Sequence, residues 1–551
     1  MNNIKRKLFI VFVVLSGFSL TGFFANKNDI YFEIAKNLEL LGKVYKEISY
    51  NYVDDINPQE FMRAGIKGML STLDPYTVFV DESRQQDIDL MTNGKYGGIG
   101  VSIGVRGDNV TITEIIDGYS AQKQGLRVGD VIIEASGVVI NAKNIDKVSN
   151  LVKGEPGTTV DLKILRYESL DTLNFSLIRE EIILKNITYA KFFPENSNNV
   201  YIKLSNFSRT AGDELRNSLK TLSQQKSINS IILDLRGNPG GLLDVAVDVC
   251  EKFLEREQLI VSTKGKDQAS LKKYFSQEHP VVGNEKLVVL INESSASASE
   301  IVAGAIQDHD RGVILGTQSF GKGLVQTIIP LTGNTSLKIT TAKYYTPSGR
   351  SIQKIDYSKD NPIIENADSL LIDPYQTDNK RLVYSAGGIM PDTTVEIAKS
   401  SELIKQLLAA GLFFSFADKF YFENTGNDFR FLKNQEVITS FRQFIDEKKF
   451  RYNSSIKRRL NEIITELNSS GGSKDLTESL SLISGQLEGE LNQELTNSEN
   501  EIMLEIMAEL ATRFIDAEHS FEVRLKKDQQ VAAAITLLEN PEIYHRLLNK
   551  L

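Results

Sequence analysis

The spacing of apolar residues changes several times along the chain, and each change predicts a different kind of element. An unbroken apolar run from Leu8 to Phe24 follows Lys5, Arg6 and Lys7 and precedes polar Asn26, Lys27, Asn28 and Asp29. That order is the pattern of a targeting segment, either a cleaved signal peptide or a retained anchor, over residues 1–25. Gly17 and Ser19 offer only a weak small-x-small cleavage site, and the run is at the lower edge of what spans a bilayer. From Ile30 to about Asp89 apolar residues return at helical steps (Ile34, Leu38, Leu41, Val44, Ile48), interrupted by Pro58 and Pro75. A small helical region over 26–90 is expected.

Short β-branched runs then dominate: Val110 to Ile115, Val131 to Ile133 and Val160 to Leu165, separated by Gly and Asp. They predict a compact, mostly β module over 91–182. Between 183 and 398 the strands become continuously apolar (Ile231-Ile232-Leu233, Leu287 to Ile291, Gly312 to Leu315) and alternate with amphipathic stretches from about Leu243 and Ala298. A strand that is apolar on both faces is covered on both faces, so this part reads as an α/β core. The polar stretch from Lys359 to Asn379 reads as loop. Beyond about Ser400 long helical patterns take over, such as Ile502, Ile506, Leu510 and Phe514, with a joint at Ser469-Ser470-Gly471-Gly472-Ser473. The expected fold class is multidomain α/β and α+β, closing with a helical domain over 399–551.

Composition narrows the chemistry. The 551 residues carry 63 Lys and Arg against 72 Asp and Glu, a net charge of -9, with no long basic stripe after the first residues. Nucleic-acid binding therefore has no electrostatic footprint. The single cysteine, Cys250, lies among Val245, Ala246, Val247 and Val249 and reads as inert core. The four histidines form neither an HExxH nor a Cys/His spacing, so no metal site and no cofactor are expected.

Three segments of the α/β region bear on function. Leu233-Asp234-Leu235-Arg236-Gly237-Asn238-Pro239-Gly240-Gly241 ends an apolar strand in glycines, which let successive N–H groups point into one concavity. It is equally a plain strand-to-helix turn. Glu293-Ser294-Ser295-Ala296-Ser297-Ala298-Ser299-Glu300-Ile301 would expose a serine at a tight elbow beside free helix amides, and Ser297 to Glu300 also reads as an S-x-x-E capping box. A cap needs one serine, and this run has four.

Gly316-Thr317-Gln318-Ser319-Phe320-Gly321-Lys322-Gly323 matches most of a GxxxxGK phosphate loop. Gly323 stands where Ser or Thr would ligate magnesium, and Leu324 to Leu331 reads as strand rather than helix, so nucleotide binding is set aside. A lysine amine desolvated among apolar neighbours can instead take a proton from a serine, which suits a chain with so few histidines. Lys322 and Gln326, four apart on the expected strand, would share a face, where the glutamine amide could orient the amine.

Together these motifs resemble those of the carboxyl-terminal processing, or tail-specific, serine peptidases, in order and in spacing: 25 residues from Ser297 to Lys322 and 4 to Gln326. Leu73-Asp74-Pro75 and Gly387-Gly388-Ile389 with Pro391-Asp392 look like further landmarks of that family. The resemblance implies Ser297 as nucleophile, Lys322 as general base and Gln326 as its positioner. It implies an oxyanion hole from the amides of Ala298 and of Gly240 or Gly241. On the sequence itself Ser295 and Ser299 remain competitors of Ser297.

The β module resembles the family's PDZ domain, with Gly98-Ile99-Gly100-Val101 in the place of the loop that holds a peptide's C-terminal carboxylate and Gly125-Leu126-Arg127-Val128-Gly129-Asp130 as a second signature. Ala121-Gln122 departs from the proline that commonly precedes the helix there.

The expected activity is that of an exported serine endopeptidase that captures apolar C-terminal tails and works through an acyl-enzyme in the periplasm, its membrane contact confined to the N-terminal segment. The substrates expected are proteins or peptides with apolar C-termini. An adaptor protein, gating by the PDZ domain and a homo-oligomer through the C-terminal helices stay open. The alternative is a PDZ-based extracytoplasmic scaffold or binding protein with little or no proteolysis, a role that would not require both Ser297 and Lys322.

Overall fold

The computed structural model describes residues 30–167, 172–357 and 374–549, apart from 386, 399, 425, 427–428, 430–431, 471–472 and 487–489. The expected leader over 1–25 lies outside the described residues. No helix among them is long and apolar enough to cross a membrane.

The chain divides into two compact units, with the boundary between Phe79 and Val80. In the first, residues 30–51 are helical, and a second helix spans Pro58–Leu70. Asn57 starts that second helix by accepting the N–H groups of Gln59 and Glu60, and proline fills the first helical position. Tyr45 stacks on Phe61 at 5.5 Å between centroids and donates its hydroxyl to Pro58 O. The helical reading of this stretch holds, but its end at 90 does not. The helix Gln85–Asn93 belongs to the second unit, where it helps wall a cleft.

The β module forms as expected. Its sheet runs in the order Val101–Arg106, Asn109–Ile115, Val131–Ala135, Thr159–Leu165, Leu173–Ile178, all antiparallel. The short helices Ser120–Lys123 and Ile145–Val152 complete it around Ile99, Val110, Ile112, Ile132, Val148, Ile164 and Leu177. Val101–Arg106 is the end strand, so one row of its backbone groups faces away from the sheet.

The α/β core is a six-stranded sheet, antiparallel between Ile187–Phe192 and Asn199–Leu204 and parallel from there through Ser230–Asp234, Lys286–Ile291, Val313–Gly316 and Thr393–Thr394. Its central strands are buried on both faces, as their unbroken apolar runs required. One face is covered by Ala211–Gln225, Leu243–Glu251 and Ala298–Asp308, with Cys250 fully buried there and its thiol pushed up by that burial. A separate antiparallel sheet contains the hairpin Leu324–Pro330 with Ser336–Tyr345 and the strand Leu259–Gly265. Of the segment read as loop, 358–373 lie outside the described residues. Pro374–Gln376 instead pairs with Leu382–Tyr384, the turn closing through Lys380 at φ 65.

Beyond about 400 the helices fall into two groups by what they pack against. Residues 403–514 have their own core of Leu403, Phe413, Phe416, Val437, Phe441, Phe444, Ile502, Ile506 and Leu510. The helices Gln529–Glu539 and Pro541–Leu547 do not join it. Val531, Ala534, Leu537, Leu538 and Tyr544 pack on Tyr201, Ile232, Val288, Leu290, Val313 and Leu315 of the sheet. Helical periodicity marks both groups alike and cannot say which partner a helix covers.

Leu538 is 3% exposed in this layer. Leu538→Ala is expected to cost about 2–4 kcal/mol in chemical denaturation followed by tyrosine fluorescence. A loss under about 0.5 kcal/mol would mean that these helices are not a structural layer of the sheet.

Candidate active site

Ser297 sits between the buried strand Lys286–Ile291 and the helix Ala298–Asp308 with φ 55 and ψ -111. A non-glycine residue in that region is strained, and it persists only where its surroundings impose it. Those surroundings are visible. The Ser297 N–H donates to Glu300 Oε2 at 2.8 Å, and the Ser297 carbonyl accepts the Tyr344 hydroxyl at 3.2 Å. Tyr344 is fully buried, and burial raises its phenol, so the hydroxyl stays protonated as a donor.

The three serines differ in what each side chain does. Ser295 is fully buried and donates to Leu235 O at 2.9 Å, while also accepting the Asn292 N–H. Ser299 is fully buried and donates to Asn238 O at 2.9 Å. Both lace the elbow to the glycine turn. Ser297 is the serine of the three that lines the cleft of about 760 Å³.

The same cleft is lined by Ala298, Gly240, Gly241, Lys322 and Gln326, so the structure brings together the six residues expected of a catalytic centre. The glycine turn comes this close because Gly240 has no side chain: a Cβ there would lie 2.7 Å from Ala296 O and 2.9 Å from Ala298 N, at φ 100. The Gly240 N–H is donated to Asn238 Oδ1 at 2.9 Å. Asn238 in turn donates to Leu204 O and accepts the Ala296 N–H on its carbonyl, pinning turn to elbow.

Lys322 and Gln326 both line the cleft, Gln326 from the strand and Lys322 from the loop before it. Lys322 precedes the strand Leu324–Pro330, and the ladder shifts register between Val325 and Gln326. The extra residue of that shift, Thr341, is in the partner strand, so the alternation from Leu324 onward is unbroken, and Lys322 enters the cleft from the loop just before the strand. Gln326 Nε2 donates to Thr340 Oγ1 at 3.2 Å.

Gly98, Ile99, Gly100 and Val101 are not part of this cleft. They lie in the β module, where Ile99 is buried in the core, Ile99 O accepts the Ala121 N–H and Gly100 O accepts the Ile116 N–H, both at 2.9 Å.

Sequence reasoning saw Glu300 only as a helix cap, and it is more than that. Fully buried, its carboxylate accepts Ser297 N–H, Ser319 Oγ–H at 2.6 Å, Gly321 N–H at 2.7 Å and Lys322 N–H at 2.9 Å. The loop that mimicked a phosphate loop does cradle an anion with its amides, and that anion is Glu300. Burial pushes the carboxyl up from the ordinary 4.5 to about 7, against the opposing pull of these four hydrogen bonds.

Arg236 is the second residue whose part the sequence did not disclose. Its guanidinium binds Asp234 through Nε and Nη2, and its Nη1 reaches Asp528 at 2.8 Å and Gln530 Oε1 at 2.9 Å, at the start of the helix Gln529–Glu539. Burial alone would raise Asp234, but Lys203 and Arg236 outweigh it and hold the carboxyl at about 2.

Comparisons with known proteins agree with this architecture. Residues 198–363 match the model for peptidase family S41, 111–166 that for the PDZ domain, and 23–84 that for the activating protease CtpB N-terminal domain. Residues 403–538 match "Probable PDZ-protease, C-terminal helical domain". The carboxy-terminal-processing protease of Bartonella bacilliformis is 36% identical over 328 residues, covering 59% of this chain and 74% of that protein.

The chain belongs to the carboxyl-terminal processing serine peptidases.

The family member CtpB of Bacillus subtilis is 30% identical over 325 residues, 58% of this chain and 66% of its own. Among solved structures, the photosystem II D1 C-terminal processing protease aligns at 25% identity over 66% of this chain and 90% of its own, with a TM-score of 0.36.

The raised Glu300 carboxyl sets a pH dependence for this peptidase. The folded state binds that proton more tightly than the unfolded chain does, so the stability it contributes is complete below about 4.5 and lost as pH rises through about 7. The melting temperature of the protein minus that of Glu300→Gln is expected to fall between pH 5 and pH 8. A difference that rises instead would show that the four donors outweigh burial.

Proposed function

We propose that this peptidase is exported and cleaves protein substrates, captured by an apolar C-terminal tail, through a Ser/Lys mechanism with Ser297 as nucleophile. In this reading Lys322, as the neutral amine, takes the hydroxyl proton while Ser297 Oγ attacks the scissile carbonyl. The developing oxyanion is held by the amides of Ala298 and Gly241, and Gly240 supplies the close approach, its own N–H being committed to Asn238. Lys322 then gives the proton to the departing amine, leaving an acyl-enzyme ester on Ser297. Water attacks that ester with Lys322 again accepting a proton, which returns to Ser297 as the acid product leaves. With its Nε2 held by Thr340, the Gln326 carbonyl is the atom suited to accept a hydrogen bond from the lysine amine.

The observation that carries this reading is the strained Ser297 in one cleft with Lys322 and the glycine turn, while Ser295 and Ser299 are buried and hydrogen-bonded elsewhere. Capture of the tail by Gly98, Ile99, Gly100 and Val101 is supported by the neighbouring Val101–Arg106 strand, whose outer edge is open to pairing with an extended peptide. Export and a periplasmic site of action are supported by Lys5, Arg6 and Lys7 ahead of the Leu8 to Phe24 run.

An unfolded protein with an apolar C-terminal tail and the same protein with a charged tail test this reading. The protein is expected to cleave the first faster, and Ser297→Ala to lose at least about a thousandfold in rate. Cleavage that survives Ser297→Ala would remove the serine from its role, and equal rates on the two tails would remove the PDZ loop from substrate capture.

A further inference from the structure

The cleft contains a second lysine that the mechanism does not use. Lys338 stands on the strand Ser336–Tyr345, opposite Ile328 of the strand that carries Gln326, and lines the same cleft as Ser297 and Lys322. Its neighbours give it almost nothing to bind. The contact its Nζ makes is to Met91 Sδ at 3.8 Å, a thioether and a weak acceptor. Among the described residues no carboxylate lies within ion-pairing distance of it. Burial, with no charged partner to oppose it, lowers its affinity for a proton.

Half-buried cations are normally paired, because removing an ammonium from water costs more than burying its stem gains. The balance of charge around the cleft points the same way. Arg209 lines it too, with Nε donated to the neutral Asn93 Oδ1 at 3.1 Å. The acidic residue of the lining is Asp87, already shared between Arg84 at 3.2 Å and Lys153 at 3.8 Å. Lys338 and Arg209 therefore line the cleft of Ser297 with no carboxylate ion-paired to either among the described residues, since Asp87 of the adjacent helix is held by Arg84 and Lys153.

We infer that Lys338 is the binding group of a carboxylate subsite in the substrate cleft, so that this peptidase prefers substrates with a carboxylate close to the bond it cuts. This rests on the reading of Ser297 as nucleophile and adds the chemistry of the substrate to it. The carboxylate has two sources, an Asp or Glu side chain near the scissile bond or the terminal carboxylate of a short segment beyond it. Either would supply the acceptor that Lys338 lacks, at the cost of displacing water from a cleft already poor in counter-ions.

The experiment uses the full protein and a set of quenched fluorescent peptides that share one apolar sequence. One arm places Glu or its isostere Gln at each of four positions on either side of the cleaved bond, and the other compares a free C-terminal acid with its amide. At one position, or in the acid over the amide, kcat/KM is expected to favour the carboxylate about tenfold, the ratio one charge-assisted hydrogen bond supports. The gain should appear in KM rather than kcat, shrink with added salt, collapse toward one in Lys338→Met and persist in Lys338→Arg. The arm in which it collapses names the source.

The same peptides binding to Ser297→Ala protein, read by anisotropy, give a second measure independent of turnover. A preference that survives in Lys338→Met, or its absence in every arm, overturns the subsite. Loss of the serine reading looks different: cleavage would persist in Ser297→Ala whatever charge the peptide carries.

Discussion

A buried carboxylate with four donors ties the Ser297 elbow to the loop that carries Lys322 in this peptidase. Glu300 accepts N–H groups from both sides of the cleft, Ser297 on the elbow and Gly321 and Lys322 on the loop, and adds the Ser319 hydroxyl. Removing water from a carboxylate is expensive, and here three of its four hydrogen bonds fix backbone and the fourth holds the Ser319 hydroxyl. The strained φ of Ser297 is one consequence, since its N–H and carbonyl are held from opposite sides by Glu300 and Tyr344. The placement of Lys322 is another: its backbone is anchored one residue beyond Gly321, and its side chain leaves from a fixed point.

The glycine turn is held by a separate device. Asn238 and the hydroxyls of Ser295 and Ser299 join turn to elbow, and Arg236 ties the base of the turn to Asp528 and Gln530. Asp528 is the N-cap of the helix Gln529–Glu539, accepting the N–H groups of Gln530 and Val531, and Gln530 donates to Val395 O. A residue near the end of the chain thus stands directly behind the motif around Gly240. The helices that cover the sheet are for this reason tied to the glycine turn by side-chain contacts.

How far the sequence disclosed this depended on the range of the interaction. Elements whose signal is local were legible: the doubly buried strands from their apolar runs, the β module from its short β-branched segments, and the three motifs from glycines and serines in close succession. The reading of Lys322 was local too, and it placed on the strand a residue that lies in the loop just before it. What stayed hidden was long-range pairing. Arg236 and Asp528 are 292 residues apart, and a lysine such as Lys338 reads as an ordinary strand residue until the helix Gln85–Asn93 closes over it. Glu300 had a signal, the third residue after a serine, but the signal named a cap and could not show that the far side of the carboxylate faces another loop.

The helical region from 403 to 514 meets the β module on a close and specific surface. Arg106 of the end strand and Arg513 both lie over the Phe414 ring, at 5.3 and 4.4 Å from its centre, and Tyr167 meets Phe422 edge to face. Gly129 is required there because a Cβ would stand 2.6 Å from Asp418 Oδ1 at φ 97. Asp418 itself is pushed up to about 6 by burial, with Arg513 at 2.7 Å pulling against it. The C-terminal helices therefore touch the β module at one end of their sequence and the base of the glycine turn at the other. The two contacts belong to two different helical groups: 403–514 packs on the end strand of the β module, and the helices from Gln529 onward pack on the sheet behind the glycine turn.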